Sequence, residues 1–247
     1  MDFYRGVCAD VPLVLELGVG AGRIAAALAQ DGVRVVGVEQ DPDAIALGRR
    51  RHPSPRIEWV RADMRALDLG RRFDRVILPY NGLYTLASDA DVLACFQSVA
   101  RHLTDNGYFV FDFWVADPFH ADGDEGPRDA PGDGSASDGG WTPEDEELEP
   151  VATIAYQGKL YDVFESTRWT RAAQRVDATY RYVPRSGGAE LSSEVMSRYL
   201  LAEQVEPLLA AAGLELVVRH GDFDQCAWDE DCDRMIVTAQ LAGRAGG

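Results

Sequence analysis

Two periods of apolar residues alternate along the first 114 positions. Short, nearly continuous apolar runs at 13–17, 34–39, 56–60, 74–78 and 108–114 read as strands. Between them apolar residues recur three and four apart, as on one face of a helix. Ile24 and Leu28 share a face in 21–30, and Val92, Phe96, Val99 and Leu103 repeat at four, three and four in 89–103. Asp41-Pro42 is an N-cap acid with proline at the first helical position, and His52-Pro53 closes the helix it opens. Asn106-Gly107 reads as the end of the helix over 89–102. The run 108–114 carries one charge, Asp112, and otherwise fits a strand buried on both faces.

The pattern then changes. Positions 115–150 hold twelve acidic residues against one arginine, with Gly, Pro and Ser filling 123–140. Such a stretch buries too little apolar surface to order itself, and is expected to be a solvated loop or a lid anchored by Trp141. Strands are expected at 160–170, 176–184 and 190–200, with turns at Ala172-Ala173 and Ser186-Gly187-Gly188, giving a three-stranded antiparallel meander. A helix over 202–212, ended by Gly213, and two strands at 214–219 and 234–241 close the chain. The expected organisation is a core of 1–115 and 201–247, an acidic loop at 116–150, and a β insertion at 151–200.

The 247 residues carry a net charge of −17, which disfavours nucleic acid and anionic membrane as partners. No apolar run approaches a membrane span and no leader pattern opens the chain, so a cytoplasmic location is expected. Cys8, Cys95, Cys226 and Cys232 form no close pair in sequence and read as reduced, mostly buried thiols. No cluster has metal-ligand spacing.

The chemistry concentrates at Glu16-Leu17-Gly18-Val19-Gly20-Ala21-Gly22-Arg23, an apolar strand running through three glycines into a helix. Glycines allow a sharp turn and a close ligand, and the new helix points its free amides at it. The next strand ends in Glu39, where a carboxylate can take both hydroxyls of a ribose. The nicotinamide fingerprint would need glycine where Arg23 stands, and the phosphate-loop Lys-Ser/Thr is absent. Glu-Leu-Gly-x-Gly-x-Gly resembles the class I S-adenosylmethionine-dependent methyltransferases.

The resemblance implies a Rossmann-like α/β fold with seven mostly parallel strands, helices on both faces, and the antiparallel insertion between strand five and the last helix. It is closest in layout to the aminosugar N-methyltransferases of bacterial antibiotic biosynthesis, whose insertion covers the site and often helps form a dimer. It implies S-adenosylmethionine as cofactor, S-adenosylhomocysteine as product, and no metal. Implied cofactor contacts are Tyr4, Glu16, Gly18, Gly20, Gly22, Arg23, Glu39, Gln40, Asp63, Met64, Pro79 and Asn81. Tyr4 either reaches the methionine carboxylate or is a surface aromatic. Asp63, otherwise a turn or cap residue, suits the adenine amino group, and Met64 the adenine face.

Tyr80 and Tyr84, after the fourth strand, are expected near the transferable methyl, and His120, six residues past Trp114, is the candidate base. His52 and His102 read as structural cations at helix ends, and His220 stays unassigned. Leu78-Pro79-Tyr80 lacks the leading amide and double proline of adenine-N6 DNA methyltransferases. The leading expectation is N-methylation of a small molecule by in-line displacement. The alternatives are O- or C-methylation of an aromatic small molecule, and a cofactor-binding module without activity.

Overall fold

The computed structural model describes residues 1–121 and 150–243, which divide into two units. The first holds Met1–Asp117 and Leu200–Gly247, the second Pro118–Tyr199. The expected acidic lid, Trp141 included, falls almost wholly on positions outside the described residues. No helix among the described residues is long and apolar enough to cross a membrane.

The first unit is built on a seven-stranded sheet. In chain order its strands are β1 (Leu13–Leu17), β2 (Arg34–Glu39), β3 (Ile57–Arg61), β4 (Phe73–Leu78), β5 (Leu103–Trp114), β10 (Leu214–His220) and β11 (Arg234–Leu241). The spatial order is β10-β11-β5-β4-β1-β2-β3. All neighbours pair in parallel except the β5–β11–β10 end, which is antiparallel. The strand order reverses between β1 and β4, the place where open α/β sheets bind ligands. With the right-handed crossovers that parallel strands take, this order puts α2 (Arg23–Gln30) and α3 (Pro42–Arg51) on one face and α4 (Asp89–His102) on the other. Val14, Leu15, Leu17, Val76, Ile77, Phe109, Phe111 and Phe113 are almost wholly buried, as a doubly covered sheet requires.

Two boundaries differ from expectation. Helix α2 starts at Arg23 rather than position 21, because Gly22 takes the left-handed N-cap conformation at φ 83°. Asn106-Gly107 ends no helix: α4 stops at His102 and β5 begins at once. The pair lies in a register shift where β5 has extra residues against β4, and a Cβ on Gly107 would stand 2.7 Å from the Phe73 carbonyl oxygen.

The second unit is an antiparallel sheet of four strands, not three: β6 (Ala152–Tyr156), β7 (Lys159–Thr170), β8 (Arg175–Pro184) and β9 (Leu191–Arg198). Strand β6 was missed because all five of its residues are exposed, so no buried face marks it in sequence. Gln157 and Gly158 join it to β7, both with positive φ, as a two-residue hairpin loop needs.

The thiols divide evenly: Cys8 and Cys95 are buried, whereas Cys226 is exposed and Cys232 partly so. His102 is structural but holds no positive charge. Its Nε2 accepts the Leu69 amide at 3.1 Å, so its proton is on Nδ1, which donates to the Ser98 carbonyl at 2.7 Å.

Candidate functional site

The carboxyl ends of β1 and β4 carry the glycine loop and the segment 79–86. Gly18, Gly20 and Gly22 all have positive φ, at 62°, 54° and 83°. The loop is fixed from below by the Val19 amide, which donates to the Val38 carbonyl at 3.0 Å. Gly37 makes room for Val19: a Cβ there would lie 2.8 Å from its side chain. Two of the three loop glycines do different work. A Cβ on Gly22 would press to 2.4 Å on the Trp59 ring, so this glycine serves packing. A Cβ on Gly20 would meet nothing within 4 Å, so here the backbone borders open space.

Glu16, on β1, is buried, and its Oε2 has no hydrogen-bond partner. Burial pushes its pKa up to about 8, although the Ala25 amide and the Arg23 charge pull it down. Glu39 ends β2 with its carboxylate over three amides: Gly20 at 3.0 Å on Oε2, Gln40 at 2.8 Å and Asp41 at 3.0 Å on Oε1. It thereby ties the end of one strand to the glycine loop on the other.

Asp63 caps a short 3-10 turn, Met64–Ala66, and is half-buried. Arg65 holds its carboxylate at 2.6 Å and also pairs with Asp91 at 2.6 Å. The Arg65 hydrogen bond keeps the Asp63 pKa below its ordinary value, helped by the Gln40 side chain. Met64, half-buried, follows on the same turn.

Beyond β4, Pro79 is half-buried, and Tyr80 and Asn81 both adopt left-handed backbone conformations, at φ 55° and 60°. Strand β5 holds them there. The Tyr80 amide donates to Asp112 Oδ1 at 2.8 Å and the Asn81 amide to the Asp112 carbonyl at 3.2 Å. The Asn81 side-chain oxygen accepts the Trp114 amide at 2.7 Å. Tyr84 is buried and its hydroxyl donates to the Trp114 carbonyl, so that hydroxyl fastens the end of β5.

Asp112 is the hub of this network. It is fully buried, and it also accepts the Tyr4 hydroxyl on Oδ1 and the Arg234 guanidinium at 2.6 Å on Oδ2. Tyr4 is therefore no surface aromatic: it is fully buried in α1 (Asp2–Val7), and burial beside Asp112 raises its pKa well above the ordinary phenol value. Around Asp112 the rings of Phe3, Tyr4, Tyr80 and Phe223 gather with centroids 5.2–6.3 Å apart. The Arg23 guanidinium lies 4.2 Å over Tyr80, and that of Arg234 lies 4.8 Å over Phe223. The sequence reading missed Arg234, Phe223 and Trp59. The one signal it held was Asp112, the lone charge in an apolar strand.

His120 lies in the second unit, on α5 (Asp117–Ala121), with Nδ1 3.0 Å from the Tyr199 hydroxyl. Among the described residues no group of three or more His, Cys, Asp or Glu side chains is placed to hold a metal ion.

Residues 14–107 match the family model described as a methyltransferase domain. The CcbJ methyltransferase from Streptomyces caelestis superposes with a TM-score of 0.77 at 25% identity, over 98% of this chain and 87% of that one. The seven-stranded fold is that of this methyltransferase, and the domain match lies within the first unit. The chain also resembles curated proteins. It is 32% identical over 101 residues to a dTDP-3-amino-3,6-dideoxy-alpha-D-glucopyranose N,N-dimethyltransferase of Streptomyces fradiae, 41% of this chain and 39% of that protein. It is 30% identical over 103 residues to a cypemycin N-terminal methyltransferase of a Streptomyces species, 42% of each chain. The chain thus spans about two fifths of the length of these two relatives.

Proposed function

We propose that this chain transfers a methyl group from S-adenosylmethionine to nitrogen of a small molecule in secondary metabolism, leaving S-adenosylhomocysteine. One observation carries the cofactor assignment: Glu16, a buried carboxylate with an unpartnered oxygen, lies on the strand whose glycine loop borders open space at Gly20. A buried acid of this kind wants a cation, and the cofactor's methionine ammonium is one. Glu39 would hold the ribose hydroxyls, and Asp63 with Met64 the adenine. Arg23 suits the methionine carboxylate. When bound, the cofactor supplies a methyl group already activated on a sulfonium.

The protein's task is then orientation and exclusion of water. Asp112 sets the backbone of Tyr80 and Asn81, and Tyr84 fixes the end of β5. Aromatic faces at Tyr4, Tyr80 and Phe223 suit a cation near the reacting carbon. The Tyr84 hydroxyl is already committed, so Tyr80 is the better candidate to position the acceptor. His120 is the proposed base wherever the acceptor arrives protonated. No metal enters this mechanism.

Nitrogen is preferred because one relative above is named as an N,N-dimethyltransferase and the other as an N-terminal methyltransferase. The net charge of −17 favours a neutral or cationic small acceptor over nucleic acid or an anionic membrane. The four-ring cluster supports a second reading, O- or C-methylation of an aromatic molecule. Exposed Ile154, Tyr156, Leu160, Val195 and Met196 on the β6–β9 sheet support a homodimer through the second unit.

Calorimetric titration with S-adenosylmethionine tests the reading. Wild type should bind, and Glu39→Ala should bind about 10- to 100-fold more weakly, since hydrogen bonds to a charged partner are worth about 1.5–3 kcal/mol. Absence of binding by wild type would overturn the cofactor assignment. Mass spectrometry of products from aminosugars, other amines and phenols then separates the two acceptor classes.

A further inference from the structure

Between β10 and β11 the chain makes a loop, 221–233, at the same end of the sheet as the glycine loop, because β11 runs antiparallel to β5 and pairs Arg234 with Trp114. Two of the four cysteines lie in it. A Cβ on Gly221 would meet Cys232 Sγ at 2.4 Å and Cys226 Sγ at 3.1 Å. Both sulfurs therefore occupy the space that a side chain at Gly221 would fill, and they lie no further apart than those two distances together. The chain is held in that arrangement: the Gly221 amide donates to the Cys226 carbonyl at 3.0 Å, and the Cys232 amide to the Asp229 carbonyl at 3.3 Å. Cys226 is exposed and Cys232 partly so, unlike the buried Cys8 and Cys95.

We propose that Cys226 and Cys232 form a reversible intramolecular disulfide, a modification site separate from methyl transfer. The oxidant is a small-molecule disulfide. The Cys226 thiolate attacks one of its sulfurs, releasing one small thiolate, which picks up a proton, and leaving a mixed disulfide. The Cys232 thiolate then attacks the Cys226 sulfur and expels the second small thiol, so both cysteines lose a proton and together two electrons. Asp224 hydrogen-bonds the Cys226 thiol and raises its pKa, which keeps the thiolate fraction small and the exchange slow.

The bond has a structural reach. The loop also carries Phe223, whose ring packs on Phe3, Tyr4 and Tyr80, and it leads into Arg234, the partner of Asp112. Closing Cys226 onto Cys232 restricts the loop that presents Phe223 to the Tyr80 ring.

The test is incubation of the purified chain with oxidised glutathione, trapping of free thiols by alkylation, and peptide mass mapping. Wild type should give a peptide pair joined through Cys226 and Cys232 and little glutathione adduct. Cys232→Ser, which keeps the fold but removes the resolving thiol, should accumulate one stable glutathione adduct on Cys226. Reduction should restore two free thiols in wild type. Wild type that accumulates unresolved glutathione adducts as the variant does, or that leaves both cysteines free under conditions that modify Cys226 in the variant, would overturn the proposal.

Discussion

Asp112 and Arg234 form an ion pair at 2.6 Å between β5 and β11, with the carboxylate fully buried and the guanidinium one-quarter exposed. The pair sits where the antiparallel end of the sheet joins the parallel part. From it the network runs to the Tyr80 amide and the Tyr4 hydroxyl, so one carboxylate fixes three elements that border the site.

Removing the carboxylate should be expensive for stability. Asp112→Ala leaves a guanidinium, an amide and a phenol without their acceptor, and breaking a buried pair from one side costs about 3–5 kcal/mol. Urea denaturation of the variant should show a loss of that order. A loss within about 1 kcal/mol would mean the network is a consequence of the fold and not a support of it.

Glu16 predicts a pH dependence with a defined sign. Its folded pKa of about 8 stands above the ordinary 4.5, so the folded state binds the extra proton. The stability linked to Glu16 is therefore full below about pH 4.5 and is lost as pH rises through about 8. Melting temperatures of the ligand-free chain should fall across that window, and Glu16→Gln should remove part of the fall. The same variant should bind S-adenosylmethionine more weakly, because it no longer offers a negative charge to an ammonium. Parallel melting curves for both proteins across the window would sink the assignment.

The two glycines at 20 and 22 should respond differently to valine. Gly22→Val drives a side chain into Trp59 and should destabilise the fold by more than 1 kcal/mol, the lower range for overpacking being about 1–3 kcal/mol. Gly20→Val faces open space, carries only the strain of φ 54°, and should fold while losing cofactor affinity. Thermal melts with titrations separate the outcomes. A folded Gly20→Val that binds as wild type does would show that no ligand approaches that backbone.

His120 is tested by rate against pH. If the acceptor needs deprotonation, His120→Ala should lower turnover by about 10²–10⁴, the usual span of general acid–base work, with a smaller loss at high pH. Superimposable pH profiles for the two proteins would remove His120 from the chemistry and leave orientation around Tyr80.

The local code was complete where chemistry is local. The glycine turn, the strand-end Glu39, the Asp41-Pro42 cap and the periods of strands and helices are written in adjacent residues, so sequence alone determined the parallel core and the place of its glycine loop. Asp112, Tyr4 and the pair Phe223 and Arg234 come from three distant stretches, and only the folded sheet brings them together: Asp112 and Arg234 are 122 positions apart. Strand β6 escaped because its residues are exposed on both sides and its identity rests on pairing with β7. Gly22 and Gly20 look alike in sequence, and Trp59 on β3 alone makes one a packing residue while the other borders open space. Periodicity reports which face of an element is buried, but it carries no record of what is buried against it. That second fact belongs to the tertiary structure, and here it decides which polar groups are satisfied, as Asp112 is, and which are left wanting a partner, as Glu16 is.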